Sequence, residues 1–262
     1  RVHNQLAGDD RYAGGIAWCA FDYNTHANFG SGDRICYHGV SDIFRIPKKA
    51  AGFYKSQCDP AEEVVLEPAF NWSAGDHPSA GGPGKVAFCS NCEHLKLYLG
   101  NKLMKELDPD RATYANLKYP PFVTQISNMM LEAWVDLRIE GYIGGKLAIS
   151  KTLSGAGIDA DLKLEPDDME LDGNGSDATR VVMRVTDQFG NTQQFASGAV
   201  ALSVTGPAEI VGENPFSIVG GVGAVWLKAK EAGGAVRLTA KHQYLGTRTA
   251  EVRVKAVAAE VI

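Results

Sequence analysis

Cys89-Ser90-Asn91-Cys92 has the spacing of half a zinc site. A structural zinc takes four ligands, the sequence holds no second Cys-x-x-Cys, and His77 and His94 match no familiar ligand pattern. On an alternating strand the two sulfurs would also face opposite ways. Small buried side chains are the better reading of both cysteines. Asp172-Gly173-Asn174-Gly175-Ser176-Asp177 opens like a calcium loop, but Asp177 stands where that loop needs glycine and Met183 where it needs glutamate. A polar hairpin loop is expected there. The acidic run Asp159, Asp161, Glu165, Asp167, Asp168, Glu170 and Asp172 reads as a solvated face. Asn71-Trp72-Ser73 and Asn174-Gly175-Ser176 are glycosylation sequons only in a secretory setting, and motifs this short arise by chance.

The richest polar segment runs from Asp22 to His38. It follows Gly14-Gly15-Ile16-Ala17-Trp18-Cys19-Ala20-Phe21, a nearly continuous apolar run of the kind found in strands covered on both faces. Binding residues of parallel α/β folds sit on the loops after such strands. Trp18, Asp22, Tyr23, His26 and His38 supply an aromatic face and hydrogen-bonding groups. Two readings stand side by side: a ligand site, or Trp18 as core and Asp22 as the cap of a turn.

The elements that must hold these residues come from a chain of 262 residues, 26 of them basic and 31 acidic, with a net charge of −5. No run of Lys and Arg offers the electrostatic footprint of a nucleic-acid binder. No apolar stretch approaches the ~20 residues that span a bilayer. Five cysteines, in a chain long enough to build a core without staples, are expected to be reduced. The sequence opens on Arg1 with no leader pattern behind it, which suggests a fragment or a processed product and assigns no compartment.

Residues 1–60 carry an α/β texture: a helix tail ending near Gly8, the apolar run, the long loop, and a helix opened by Pro47 over Lys48–Ser56. After Val64 the pattern turns to β, with alternation at 85–88, 95–99 and 137–142 and a Gly144-Gly145 hairpin leading to 146–149. Residues 61–153 fit one β-sandwich, and the Gly- and Ser-rich stretch 152–159 suits a linker. Strand-like runs at 181–187, 200–204, 224–227, 235–240 and 250–254 fit a second, immunoglobulin-like sandwich over 154–262. The fold class expected is mainly β: two tandem immunoglobulin-like sandwiches preceded by an α/β remnant.

Taken together, residues 14–23, Gly39-Val40-Ser41-Asp42 and Pro47-Lys48 resemble the last strand, loop and helix of the (β/α)₈ barrel of glycoside hydrolase family 2. Asn71-Trp72, Asn91-Cys92 and Leu97-Tyr98-Leu99-Gly100-Asn101-Lys102 resemble its intervening sandwich domain. Leu171-Asp172-Gly173, the stretch Val185–Asn191 and the stretch Val204–Ile210 resemble its C-terminal immunoglobulin-like domain. The middle domain departs from the family pattern around Tyr119–Trp134.

The resemblance implies a retaining glycosidase of β-galactosidase type, working with two carboxylates ~5–5.5 Å apart. It places both family glutamates before Arg1, so this chain alone is expected to be inactive. By the same resemblance Trp18 forms a wall of the sugar subsite, Asp22 matches neither catalytic position, and the substrate-binding residues expected are Trp18, Asp22 and His38. His38 stands where the β-galactosidases carry a residue near the sugar hydroxyls or a bound cation. The β-glucuronidases have Asn-x-Lys there, whereas Cys36-Tyr37-His38 argues against a uronic acid. The expected partner is a β-linked glycoside, with no nucleic acid or membrane and with room for a homo-oligomer. No cofactor is expected, a cation near the sugar in the intact parent aside. The contrasting reading is a non-catalytic carbohydrate-binding or adhesin-type tandem of sandwiches, which leaves residues 14–56 without a role.

Overall fold

The computed structural model describes residues 1–25, 34–73, 84–126 and 135–256. His26, His77 and residues 127–134 of the divergent stretch lie outside the described residues. The fold is mainly β, in two compact units that divide in sequence between Ala156 and Gly157. Among the described residues no helix is long and apolar enough to cross a membrane.

In the first unit, helix α1 (Val2–Ala7) stops at Gly8, whose N–H bonds back to Gln5 O. A short antiparallel pair follows, β1 (Tyr23–Asn24) with β2 (Ile35–Cys36), and then helix α2 (Ala51–Lys55). Two sheets make up the rest. Strands β3 (Leu66–Pro68), β4 (Gly84–Ser90) and β7 (Phe122–Ile126) form one, in that order. The other comprises β5 (His94–Leu99), β6 (Lys102–Leu107), β8 (Leu137–Ile143) and β9 (Lys146–Leu153), ordered β6-β5-β8-β9. Val86, Phe88 and Phe122 from the first sheet join Leu95, Leu97, Leu137 and Ile139 from the second in one buried cluster. Each such side chain contributes roughly 1.5–3 kcal/mol by leaving water. The period-two pattern puts Leu137 and Ile139 on that inner face and Arg138 on the outer one. Gly144 and Gly145, both at positive φ, close the β8–β9 hairpin as a two-residue primed turn demands.

In the second unit, β10 (Asp161–Pro166), β12 (Ala178–Thr186), β14 (Ala208–Val211) and β16 (Val222–Ala229) form a sheet ordered β10-β12-β16-β14. Strands β11 (Glu170–Gly173), β13 (Gly198–Thr205), β15 (Phe216–Ile218), β17 (Gly234–His242) and β18 (Gly246–Ala256) form another, ordered β11-β18-β17-β13-β15. Only β11 with β18 runs parallel among these pairs. Val181, Met183, Val225 and Leu227 are buried in one sheet, and Val200, Leu238 and Val252 in the other.

Three local expectations are corrected. Residues 14–20 form no strand, and Ile16 is fully exposed. A strand needs neighbours for its edges and cover for its faces, and within the described residues only 19–22 find a partner. Helix α2 begins at Ala51, because Pro47 is taken up in a bridge with Ser41. The Asp172–Asp177 turn is no hairpin: it carries the chain from β11 in one sheet to β12 in the other, with Asn174 Oδ1 accepting the N–H groups of Ser176 and Asp177.

Candidate functional site

Residues 18–25 and 34–48 are knitted together by backbone hydrogen bonds. Cys19 N–H bonds His38 O, Val40 N–H bonds Cys19 O, Ser41 N–H bonds Ala20 O, and Asp22 N–H bonds Ser41 O. The two stretches run parallel, through a bridge between Phe21 and Ser41. Gly39 allows this approach. A Cβ on it would meet Asp22 N at 2.2 Å, Phe21 C at 2.3 Å and Ser41 O at 2.4 Å, all backbone atoms that cannot swing away. Asp42 fixes the turn that follows, accepting the N–H groups of Phe44 and Ile46 at 2.8 Å each. Arg45 then lies over the Phe21 ring at 4.1 Å.

On this frame Trp18 is 76% exposed, and the Trp18–Cys19 peptide is cis. Its indole Nε1–H donates to the Tyr23 hydroxyl at 3.2 Å, and the two rings meet edge to face with centroids 6.3 Å apart. Cys36 stands opposite Tyr23 in the β1–β2 register. The neighbouring Cys36 thiol is the main cause that pushes the Tyr23 phenol above its ordinary value. The Cys36 sulfur lies 3.3 Å from His38 Nδ1. Trp18 thus contacts Tyr23, and His38 contacts Cys36, the cross-strand neighbour of Tyr23.

Asp22 occupies a different place. Its carboxylate is buried, and Oδ1 accepts both the Gly39 N–H at 2.8 Å and the Lys48 ammonium at 2.7 Å. Lys48 Nζ also donates to Tyr37 O at 3.3 Å. The indole and the imidazole are both exposed, and a partly buried ion pair ties Asp22 to Lys48.

The cysteine pair lies elsewhere. Cys89 and Cys92 are buried, and burial pushes the Cys89 thiol up to about 11 and the Cys92 thiol upward as well. A metal-binding thiolate needs the opposite shift. Among the described residues no three His, Cys, Asp or Glu side chains converge as a metal set.

Residues 162–251 match the family model described as glycoside hydrolase family 2 C-terminal domain 5. A β-galactosidase of Thermoanaerobacterium thermosulfurigenes is 39% identical over 229 residues, which is 84% of this chain and 32% of that protein. A β-galactosidase of Rhizobium radiobacter is 32% identical over 115 residues, or 44% of this chain and 83% of that protein. The chain belongs to glycoside hydrolase family 2. Its fold is also that of a β-glycosidase from Bacteroides vulgatus, with a TM-score of 0.79 at 19% identity over 96% of this chain and 32% of that one. The family 2 chain spans about a third of the length of the first curated relatives it matches.

Two contributors to the candidate site escaped the sequence reading. Lys48 was visible only as the residue after Pro47, and nothing local ties it to a carboxylate 26 residues earlier. Cys36 had a weak signal. It stands two residues from His38, and on an extended stretch that spacing puts both side chains on one side.

Proposed function

We propose that this family 2 chain is the C-terminal part of a retaining β-glycosidase that removes terminal β-linked sugars, with β-galactosides as the favoured substrates. The observation that carries the reading is the 39% identity to a protein named β-galactosidase across 84% of the chain. In this reading both catalytic glutamates belong to the parent protein outside these 262 residues, and the chain alone turns nothing over. Residues 1–60 are the end of the parent's (β/α)₈ barrel, followed by two immunoglobulin-like sandwiches that support it.

The exposed indole of Trp18 lies against the C–H face of the sugar, where apolar area and weak C–H contacts each add modestly. His38 meets a sugar hydroxyl. Asp22 works from beneath, holding the loop through Gly39 and Lys48. Cys36-Tyr37-His38 offers no cation for a uronate carboxylate, which favours a neutral sugar.

The test is hydrolysis of nitrophenyl β-galactoside by this chain and by the full parent protein. Turnover by the parent only is the expected result. Turnover by the chain alone would mean that the catalytic pair lies within it. Glycan binding without turnover in either would favour the non-catalytic module.

A further inference from the structure

We propose that Asn174-Gly175 is a self-modifying site: the Gly175 backbone nitrogen displaces ammonia from the Asn174 side chain, leaves a carboxylate there as the protein ages, and so loosens strand β11.

Asn174-Gly175 is the one Asn-Gly pair in the sequence, and every other asparagine precedes a residue with a Cβ. The pair lies in the turn between β11 and β12, with Asn174 exposed. Asn174 Oδ1 accepts the Ser176 N–H at 2.9 Å, the Ser176 hydroxyl at 3.0 Å and the Asp177 N–H at 2.8 Å. The side chain is thus folded over the backbone that follows it, and three donors polarise its carbonyl. The Asp177 carboxylate holds the same turn, accepting the Asp172 N–H at 2.8 Å and the Ala178 N–H at 2.9 Å. Among the described residues no acceptor takes the Gly175 N–H, which leaves that nitrogen open to solvent base. Gly175, at φ +75°, puts no side chain in the way.

The reaction needs only water. Hydroxide takes the Gly175 proton, the nitrogen bonds to Asn174 Cγ, and Oδ1 takes the charge. Donors already aimed at an oxygen that becomes negative favour that state. The Cγ–Nδ2 bond then breaks, and ammonia leaves with a proton from water, which restores the hydroxide. Water adds to either carbonyl of the succinimide that remains. Breaking the Cγ–N bond gives aspartate. Breaking the bond between the nitrogen and the Asn174 main-chain carbonyl gives isoaspartate, which lengthens the backbone. Overall water enters and ammonia leaves. Either product adds a carboxylate to a turn that already carries Asp172 and Asp177. Glu231 lies against it too, since a Cβ on Gly175 would meet Glu231 Cγ at 3.1 Å. Strand β11 is at the edge of its sheet and pairs with β18 alone, so little holds it when the turn changes.

The test incubates the folded chain at mildly alkaline pH and follows residues 164–180 by peptide mass spectrometry. Asn174 should convert before any other asparagine, to aspartate and isoaspartate, at a rate proportional to hydroxide. Ser176→Ala removes one donor from Oδ1 and should slow conversion about fivefold, the factor carried by one neutral hydrogen bond. Asn174→Asp, which makes one product directly, should lower the urea midpoint of the second unit. Earlier conversion of another asparagine would overturn the site, with no variant needed. A Ser176→Ala rate equal to or above the starting one would overturn the chemistry, because the hydrogen bonds would then hold the amide out of line. An unchanged midpoint for Asn174→Asp would overturn the loosening of β11.

Discussion

Lys48 Nζ lies 2.7 Å from Asp22 Oδ1, with the Lys48 side chain 34% exposed and the Asp22 side chain 3% exposed. The pair joins the start of the long loop to the segment leading into α2, and the Gly39 N–H shares the same oxygen. Removing the ammonium leaves a buried carboxylate with one backbone donor. Lys48→Met should therefore cost the first unit about 2–3 kcal/mol, less than a fully buried pair because the lysine is partly solvated. Asp22→Asn should cost less, since an amide oxygen still accepts from Gly39. Urea unfolding of the two variants checks this. A Lys48→Met loss below about 0.5 kcal/mol, the size of an exposed pair, would show that the contact clamps nothing.

Trp18 makes the opposite case. Its indole is mostly exposed, so truncation takes little from the core, and substitutions at such positions stay within about 0.5 kcal/mol. If the indole is the sugar's wall, Trp18→Ala in the parent should raise KM for nitrophenyl β-galactoside about tenfold, a loss of ~1.4 kcal/mol in binding. Melting temperature and KM together separate the roles. Stability and turnover falling in equal measure would make Trp18 a packing residue.

How far the sequence foretells this molecule depends on what each residue reports. Strand β8 is legible because Leu137 and Ile139 alternate with Arg138 and end at a glycine pair. Strand β6 is not, because most of its side chains are exposed and leave no alternation. Strand β7 begins just after Pro120-Pro121, which reads as a break. The apolar run 14–21 reports a demand for burial, and the described residues supply partners only from Cys19 onward. At the candidate site, residue types alone single out Trp18, Asp22 and His38. Their wiring is invisible in one dimension, because Lys48 reaches Asp22 across the parallel pairing of 19–22 with 38–41 and Cys36 faces Tyr23 only across the antiparallel β1–β2 pair.

Asn91 carries a share of the first unit's order out of proportion to its size. It is 2% exposed, and its Oδ1 accepts the Val65 N–H at 2.8 Å while Nδ2 donates to Glu63 O at 2.8 Å and Cys58 O at 3.2 Å. These bonds tie the chain that follows α2 to the end of β4. Asn91→Ala leaves three backbone groups without their partner and should cost about 2–3 kcal/mol. Asn91→Asp should cost at least as much at neutral pH, because a carboxylate then faces two carbonyl oxygens. Thermal unfolding of both variants gives the answer. An alanine variant as stable as the parent sequence would mean that water replaces the amide at no cost.

His242 makes the second unit sensitive to acid. It is the only histidine beyond residue 94, sits at the end of β17, and is 2% exposed. Nδ1 accepts the N–H groups of Tyr244 and Leu245, each at 3.2 Å, which holds the turn into β18. Nε2, the nitrogen that must carry the proton, is buried and has no hydrogen-bond partner among the described residues. Burial holds the ring's pKa below its ordinary 6.5, with Asp159 pulling weakly the other way. The unfolded chain therefore takes up this proton at a higher pH than the folded one. Stability from the neutral ring is complete above the unfolded value and falls as pH drops below about 6.5 towards the folded value, with a slope of at most about 1.4 kcal/mol per pH unit. Protonation at Nδ1 would also break both turn hydrogen bonds. His242→Gln should lower stability at pH 8 and flatten the dependence between pH 6.5 and the folded value. Urea unfolding of the second unit from pH 8 to pH 5, in both proteins, measures that slope. Equal slopes would show that His242 does not set the acid sensitivity.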